Sequence, residues 1–273
     1  MFRSRGTIVG IPQMFDSHRW MVAAYAQRFK GRPSEDTAHI FLHVPKTAGQ
    51  TLKTSLEKIY AADRKFKIYG PRWRRSVGIF RSFPQSARDS FKLVYGHQMF
   101  GLHAAFSKPA VYFSLIREPV ARLVSLYRFA QVDPNIRKRL AGRPTLENVF
   151  ITGGLPVGGD NGMTRFFAGN ATIDKVPPGQ CTETLFEIAA ENLNRFVTVG
   201  LVEEFDRSLR FFGDVLGWGA VPAATTVNVS TKGDPAALRA EIAARFPELY
   251  AYDDRLYALA ASKFEREASS RGI

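Results

Sequence analysis

Apolar positions along the chain fall into two rhythms, short unbroken runs and stripes at helical spacing. The runs His39–Val44, Lys92–Tyr95, Val111–Ile116 and Phe196–Val199 are short enough and apolar enough to be buried strands, and Val111–Ile116 is the richest in aromatic and β-branched residues. Each of three runs leads into a helical stripe. Leu52, Leu56, Ile59 and Tyr60 follow the first. Val120, Leu123, Val124 and Tyr127 follow the third, behind Pro119 at a favoured first helical position. Phe205, Leu209, Phe212 and Leu216 follow the fourth. Further helices are expected over 234–246, over 248–266 and near 145–151, and a short amphipathic one over 17–30, before the break Gly31 to Ser34. The stretch 131–181, rich in Gly and Pro, is expected to be less regular. Strands alternating with helices predict an α/β domain with a mainly parallel sheet, beginning near residue 36 after an N-terminal extension of residues 1–35. Ligands of such sheets sit beyond the C-terminal ends of the strands.

Composition narrows this reading without deciding it. The 273 residues suffice for one large α/β domain or two small ones, and 45% hydrophobic residues with 22 Phe can fill a sizeable core. No window approaches the roughly 18 unbroken apolar residues of a spanning helix. Gly6, Gly10, Pro12 and Gln13 interrupt the apolar start, which argues against a signal peptide. Cys181 is the single cysteine, so an intrachain disulfide framework is excluded and a reducing, cytoplasmic setting is expected. The formal charge of +13 favours polyanionic partners: nucleic acid, an anionic membrane surface, phosphate-rich ligands or an acidic glycan. Its densest stretch, Arg64, Lys65, Lys67, Arg72, Arg74, Arg75, Arg81 and Arg88, contains no carboxylate and is interleaved with Phe66, Tyr69 and Trp73. That stretch suits a solvated face, the wall of a cleft for an acidic acceptor, or a module that binds single-stranded nucleic acid.

Three constellations carry candidate chemistry. Between the first strand and its helix lies Pro45, Lys46, Thr47, Ala48, Gly49, Gln50 and Thr51. Amides at a helix start, a mobile lysine and the hydroxyls of Thr47 and Thr51 make a site for an anion, with Gly49 letting the backbone come close. The lysine precedes the glycine, so this is not the nucleotide-hydrolase loop, and a strand–helix turn with a surface lysine fits the residues as well. Arg117, Glu118 and Pro119 lead through Arg122 to Ser125, and a guanidinium with a serine hydroxyl could meet on one phosphate. A capped helix with Arg117 paired to a carboxylate is the plain alternative. His97, just past a strand end, has the titration range of a general base, while His39 and His43 read as structural residues of the first strand.

Taken together, HVPKTAG before a helix, then Gly96-His97, then IREPVARLVSLY resemble the carbohydrate sulfotransferases of the second sulfotransferase family, relatives of the heparan sulfate and chondroitin sulfotransferases with many bacterial members. The likeness continues weakly at Asp160–Phe167, Val199–Phe205, Asn228–Gly233 and Asp253–Tyr257. It implies a P-loop-like, three-layer α/β domain over 36–273 that uses 3′-phosphoadenosine 5′-phosphosulfate (PAPS) and no metal. Lys46 and the amides of 47–51 would hold the 5′-phosphosulfate, Arg117 and Ser125 the 3′-phosphate, and His97 would be the catalytic base, assisted by Lys46. Relatives often carry a second histidine two residues before the base, where this chain has Tyr95. The expected partner is a carbohydrate or glycolipid acceptor, with an acidic one and contact at the inner membrane surface both compatible with the charge, and not a nucleic acid. Two competing readings are a nucleotide phosphotransferase or hydrolase, and a basic nucleic-acid-binding protein without activity.

Overall fold

The computed structural model describes residues 36–68, 72–151, 156–169, 176, 177, 179–219 and 235–273. Five strands appear among them: β1 (Ala38–Leu42), β2 (Lys65–Ile68), β3 (Leu93–Gly96), β4 (Ala110–Ile116) and β5 (Val197–Leu201). They pair in the order β2-β3-β1-β4-β5, every neighbouring pair parallel. A parallel sheet needs cover on both faces, and β1 at its centre is buried along its whole length, which is why its sequence is a continuous apolar run rather than an alternation. Helices flank the sheet, so the architecture is the expected three-layer α/β domain.

The helices are α1 (Gly49–Ile59), α2 (Trp73–Ser82), α3 (Gln85–Ser90), α4 (Pro119–Val132), α5 (Pro134–Arg139), α6 (Leu146–Phe150), α7 (Pro156–Gly159), α8 (Gly162–Ala168), α9 (Glu183–Phe196), α10 (Phe205–Leu216), α11 (Pro235–Arg245) and α12 (Ala251–Ser269). Among the described residues no helix is long and apolar enough to cross a membrane. The expected helix over 17–30 and the Asn228–Gly233 segment lie outside the described residues.

The structure departs from the pattern-based reading in three places. The first strand stops at Leu42, not Val44, because His43 and Val44 already belong to the loop before α1. The basic stretch contains an edge strand and a helix. In β2 the ring of Phe66 packs among Phe80, Phe83 and Phe91, while Lys67 faces solvent. In α2, Ser76, Val77 and Phe80 are buried and Arg74, Arg75 and Arg81 exposed, an amphipathic pattern masked by the density of charge. The third is α9, started by the Thr182 hydroxyl accepting from the Leu185 amide at 3.3 Å.

The stretch 131–169 holds four short helices, α5 to α8, rather than one long element. Its α8 is buried throughout, including Arg165, whose guanidinium meets the Asp160 carboxylate and donates to the carbonyls of Asp160, Val176 and Pro177 at 2.7–3.0 Å. Asp253 at the start of α12 accepts from Arg122 of α4 at 3.0 Å and from the amides of Met163 and Thr164 at 3.1 and 2.8 Å. One carboxylate thus ties three helices behind the sheet.

Candidate functional site

The C-terminal ends of β1, β3 and β4 open onto one edge, and the residues singled out from sequence follow directly: His43 to Thr51 after β1, His97 after β3, Arg117 after β4. Side chains from the neighbouring strands hold the exit from β1. Gln98 donates to the Phe41 carbonyl at 2.7 Å, Ser114 to that of Leu42 at 2.7 Å, and His97 Nδ1 lies 2.9 Å from that of His43. A carbonyl can only accept, so that contact puts the proton on Nδ1 and leaves Nε2 with its lone pair.

From this anchored start the loop turns sharply. Lys46 and Ala48 take left-handed conformations, φ 71° and 54°, which cost L residues about 1–3 kcal/mol apiece and persist only where the surroundings enforce them. The Thr47 hydroxyl, fully buried, donates to the Val44 carbonyl at 2.9 Å and so braces the turn; its hydrogen is spent inside the loop. α1 then begins with the Ala48 carbonyl accepting from the Thr51 and Leu52 amides at 3.0 and 3.2 Å. The amides of Lys46, Thr47, Ala48, Gly49 and Gln50 donate to no acceptor among the described residues. Open amides at a helix N-terminus, in a turn with two left-handed residues, can form a concavity for an anion.

Two cations come from this edge of the sheet, Lys46 in the loop and Arg117 after β4. Lys46 Nζ lies 4.4 Å from the centre of the Phe129 ring on α4. Partial burial and the nearby charge of Arg117 push its pKa below the usual lysine range. Ser125 precedes Phe129 by one helical turn, so both face the same side of α4, toward the loop. Arg117 is half-buried with the carboxylates of Glu203 and Glu118 near it, yet no ion pair to it forms among the described residues. Glu118 instead caps α4, accepting from the Val120 and Ala121 amides at 3.0 and 2.8 Å, and pairs with Arg239. Arg122 does not join the site; it is wholly buried on Asp253 and the Gly158 carbonyl.

His43 departs from its expected role as a structural residue of the strand. Its ring stacks on that of His97, centroids 4.1 Å apart, with Phe41 on it at 5.2 Å. Tyr95, two residues before His97, directs its hydroxyl to Glu57 at 3.4 Å, and the second imidazole beside His97 comes from the loop after β1. Burial depresses the pKa of His43 well below the ordinary value, with the charges of His97 and Lys46 acting in the same direction. His97 is lowered by burial and by Lys46 and is partly restored by its bond to the His43 carbonyl. Gly49 is needed at the start of α1 because a Cβ there would lie 1.8 Å from His43 Nε2, a reason different from the close approach of a ligand.

Beside the two imidazoles opens a cavity of about 210 Å³, walled by Gly49, Gln50 and Lys53 of α1, Lys67 of β2, and Tyr95 and His97. Arg72, Arg74 and Arg75 do not line it; they are exposed on and just before α2, with Arg74 over the Trp73 ring. Lys53 and Lys67 escaped the motif reading since neither lies within a motif, and only the β2–β3 register, Lys67 beside Tyr95, brings them together. A second opening, about 360 Å³ and bounded by Asp160, Cys181, Glu183 and Arg255, shares no residue with this site. Burial pushes the Cys181 thiol up to about 12, which leaves it unreactive.

No curated protein matches the chain. The model of the Sulfotransferase family matches residues 34–149, less than half of the chain but the part that carries the Pro45–Thr51 loop, His97 and the Arg117–Ser125 segment, and this match supports sulfuryl transfer in general.

Proposed function

We propose that the protein transfers a sulfuryl group from PAPS to a hydroxyl of a carbohydrate or glycolipid. The observation that carries the reading is the run of five amides from Lys46 to Gln50 that engage no acceptor among the described residues, with the Lys46 ammonium in the same loop and His97 on the same edge. These amides and Lys46 suit the 5′-phosphosulfate; Arg117 and Ser125, on the side of α4 that faces the loop, suit the 3′-phosphate. His97 Nε2 takes the proton of the acceptor hydroxyl as its oxygen bonds to sulfur. The bond from sulfur to the bridging oxygen breaks, and adenosine 3′,5′-bisphosphate leaves. Lys46 and the loop amides stabilise the charge that builds on that bridging oxygen. A base that is neutral at physiological pH is what the step needs, and the depressed pKa of His97 supplies it.

A phosphotransferase would need a strand-terminal carboxylate to hold Mg²⁺; the residues directly after β1, β3 and β4 are His43, His97 and Arg117, with Glu118 and Glu203 near the last. Nucleotide selectivity tests the proposal. Adenosine 3′,5′-bisphosphate should raise the melting temperature, since a ligand bound only by the native state stabilises it, and ATP should do so far less. Turnover of PAPS should survive EDTA. Equal shifts by both nucleotides, or turnover lost to EDTA and restored by Mg²⁺, would favour the phosphotransferase. Salt-sensitive binding of single-stranded nucleic acid without PAPS binding would favour the basic module instead.

A further inference from the structure

Lys46 carries the charge of the Pro45–Thr51 loop, and its backbone alone does not fix where that charge lies. The turn holds the Lys46 backbone at φ 71°, but a flexible four-carbon stem separates it from the ammonium. Among the described residues no carboxylate pairs with this ammonium, and the nearby charge of Arg117 opposes it. Its partner is instead the Phe129 ring on α4, with Nζ 4.4 Å from the ring centre. Burial does not account for the position of that ring. Phe129 lies near the C-terminal end of α4, is 38% exposed, and belongs to neither hydrophobic core. Ser125 comes one turn earlier on the same side of the helix, so the ring holds the ammonium against a face that also presents a hydroxyl.

We infer that Phe129 is a positioning residue for Lys46: its ring face holds the ammonium between the loop and the Ser125 side of α4, and keeps hold of it when an anionic oxygen binds. This rests on the transferase reading above. A carboxylate could hold a lysine more firmly, but it would cancel the charge and compete with the nucleotide for the same N–H donors. A phenyl ring attracts the cation through its negative face and leaves the full charge in place. The ring occupies one side of the ammonium, so the N–H groups on its other side remain for the oxygens of a phosphosulfate. A lysine already held in this way also has less conformational freedom to lose when the nucleotide arrives. An aliphatic side chain at the same position would fill the space without attracting the charge.

A double-mutant cycle on the full chain tests the inference with the parent, Phe129→Leu, Lys46→Ala and the two changes combined. Affinities for adenosine 3′,5′-bisphosphate and for PAPS are read by calorimetry. Phe129→Leu should weaken both by about 3-fold or more. In the Lys46→Ala background the same change should alter them by less than about 1.5-fold, because the ring then has no cation to hold. Arg117 and Ser125 remain for the 3′-phosphate in that background, so binding stays measurable. Phe129→Tyr, which keeps the ring face, should recover most of what Phe129→Leu loses. Affinity unchanged or raised in Phe129→Leu would overturn the inference, a rise meaning that the contact belongs to the empty site and is broken by the nucleotide. An equal loss with Lys46 absent would overturn it too, by showing that the ring acts through packing, as would a loss that Tyr does not recover. Each of these results leaves the transferase reading standing. Failure of the parent to bind either nucleotide would remove that reading and the inference with it.

Discussion

His97 shows how much a single contact can decide. The His43 carbonyl at 2.9 Å sets its tautomer, and burial with the Lys46 charge sets its titration range. A base works only when unprotonated, so activity is lost on the acid side, as the pH falls through a pKa lying below the ordinary 6.5. The acid limb of kcat/KM should therefore lie below pH 6.5, and one at or above that value would contradict the environment described for this ring. Replacing His97 by Ala should lower kcat by about 10²-fold or more and abolish the limb, with adenosine 3′,5′-bisphosphate binding unchanged. Lys46→Ala should damage both turnover and nucleotide affinity, because a phosphate-binding cation acts in the ground state too. His97 was legible in the sequence from its place after a strand. The role of His43 was not, since an imidazole at a strand end reads the same whether its neighbour is a core side chain or another histidine.

At the scale of elements, the start of α1 and the histidine pair form one mechanical unit. The His43 ring stacks between those of Phe41 and His97, and a Cβ on Gly49 would come within 2.5 Å of three of its atoms, so a side chain there cannot coexist with the ring in its present place. Gly49→Ala should therefore displace either the helix start, with its amides, or the ring that supports the base. The expected result is a loss of about 10-fold or more in both bisphosphate affinity and kcat, read by calorimetry and steady-state kinetics. Gly78→Ala is the contrasting case. Gly78 is exposed within α2 and a Cβ there meets nothing within 4 Å, so the change should stabilise the protein by about 0.5–1 kcal/mol in urea unfolding. The helix α1 and its loop were readable because strand, turn and helix are contiguous in the chain. The amphipathic pattern of α2 and the edge strand β2 were also present but lay beneath a run of arginines and lysines, which drew attention to charge instead.

For the whole molecule, the join between the back helices rests on a buried ion pair. Arg122 and Asp253 are both fully buried, 131 residues apart in sequence, and Asp253 also receives two amides of α8. Removing one partner leaves a buried charge, so Arg122→Met should cost about 3–5 kcal/mol, a large share of the 5–15 kcal/mol typical of a domain. The double change Arg122→Met with Asp253→Leu should cost clearly less than the sum of the two single changes. Urea unfolding of the four proteins measures the difference; additivity would deny the coupling.

Local patterns determined the fold class and the strand–loop–helix unit that carries Lys46. A strand buried on both faces in a parallel sheet must be apolar at successive positions, and a loop that joins such a strand to a helix must turn within a few residues, so both leave contiguous traces. The strand order left none. Only the placement of β3 between β1 and β2 brings His97 onto the His43 carbonyl 54 residues away and Lys67 beside Tyr95, across from Lys53. Pairing in a parallel sheet joins segments separated by whole helices, and the backbone hydrogen bonds that make the pairs are the same for every sequence. The choice among orders is made by how side chains pack once the layers close, which is why His97 was visible in the chain and its surroundings were not.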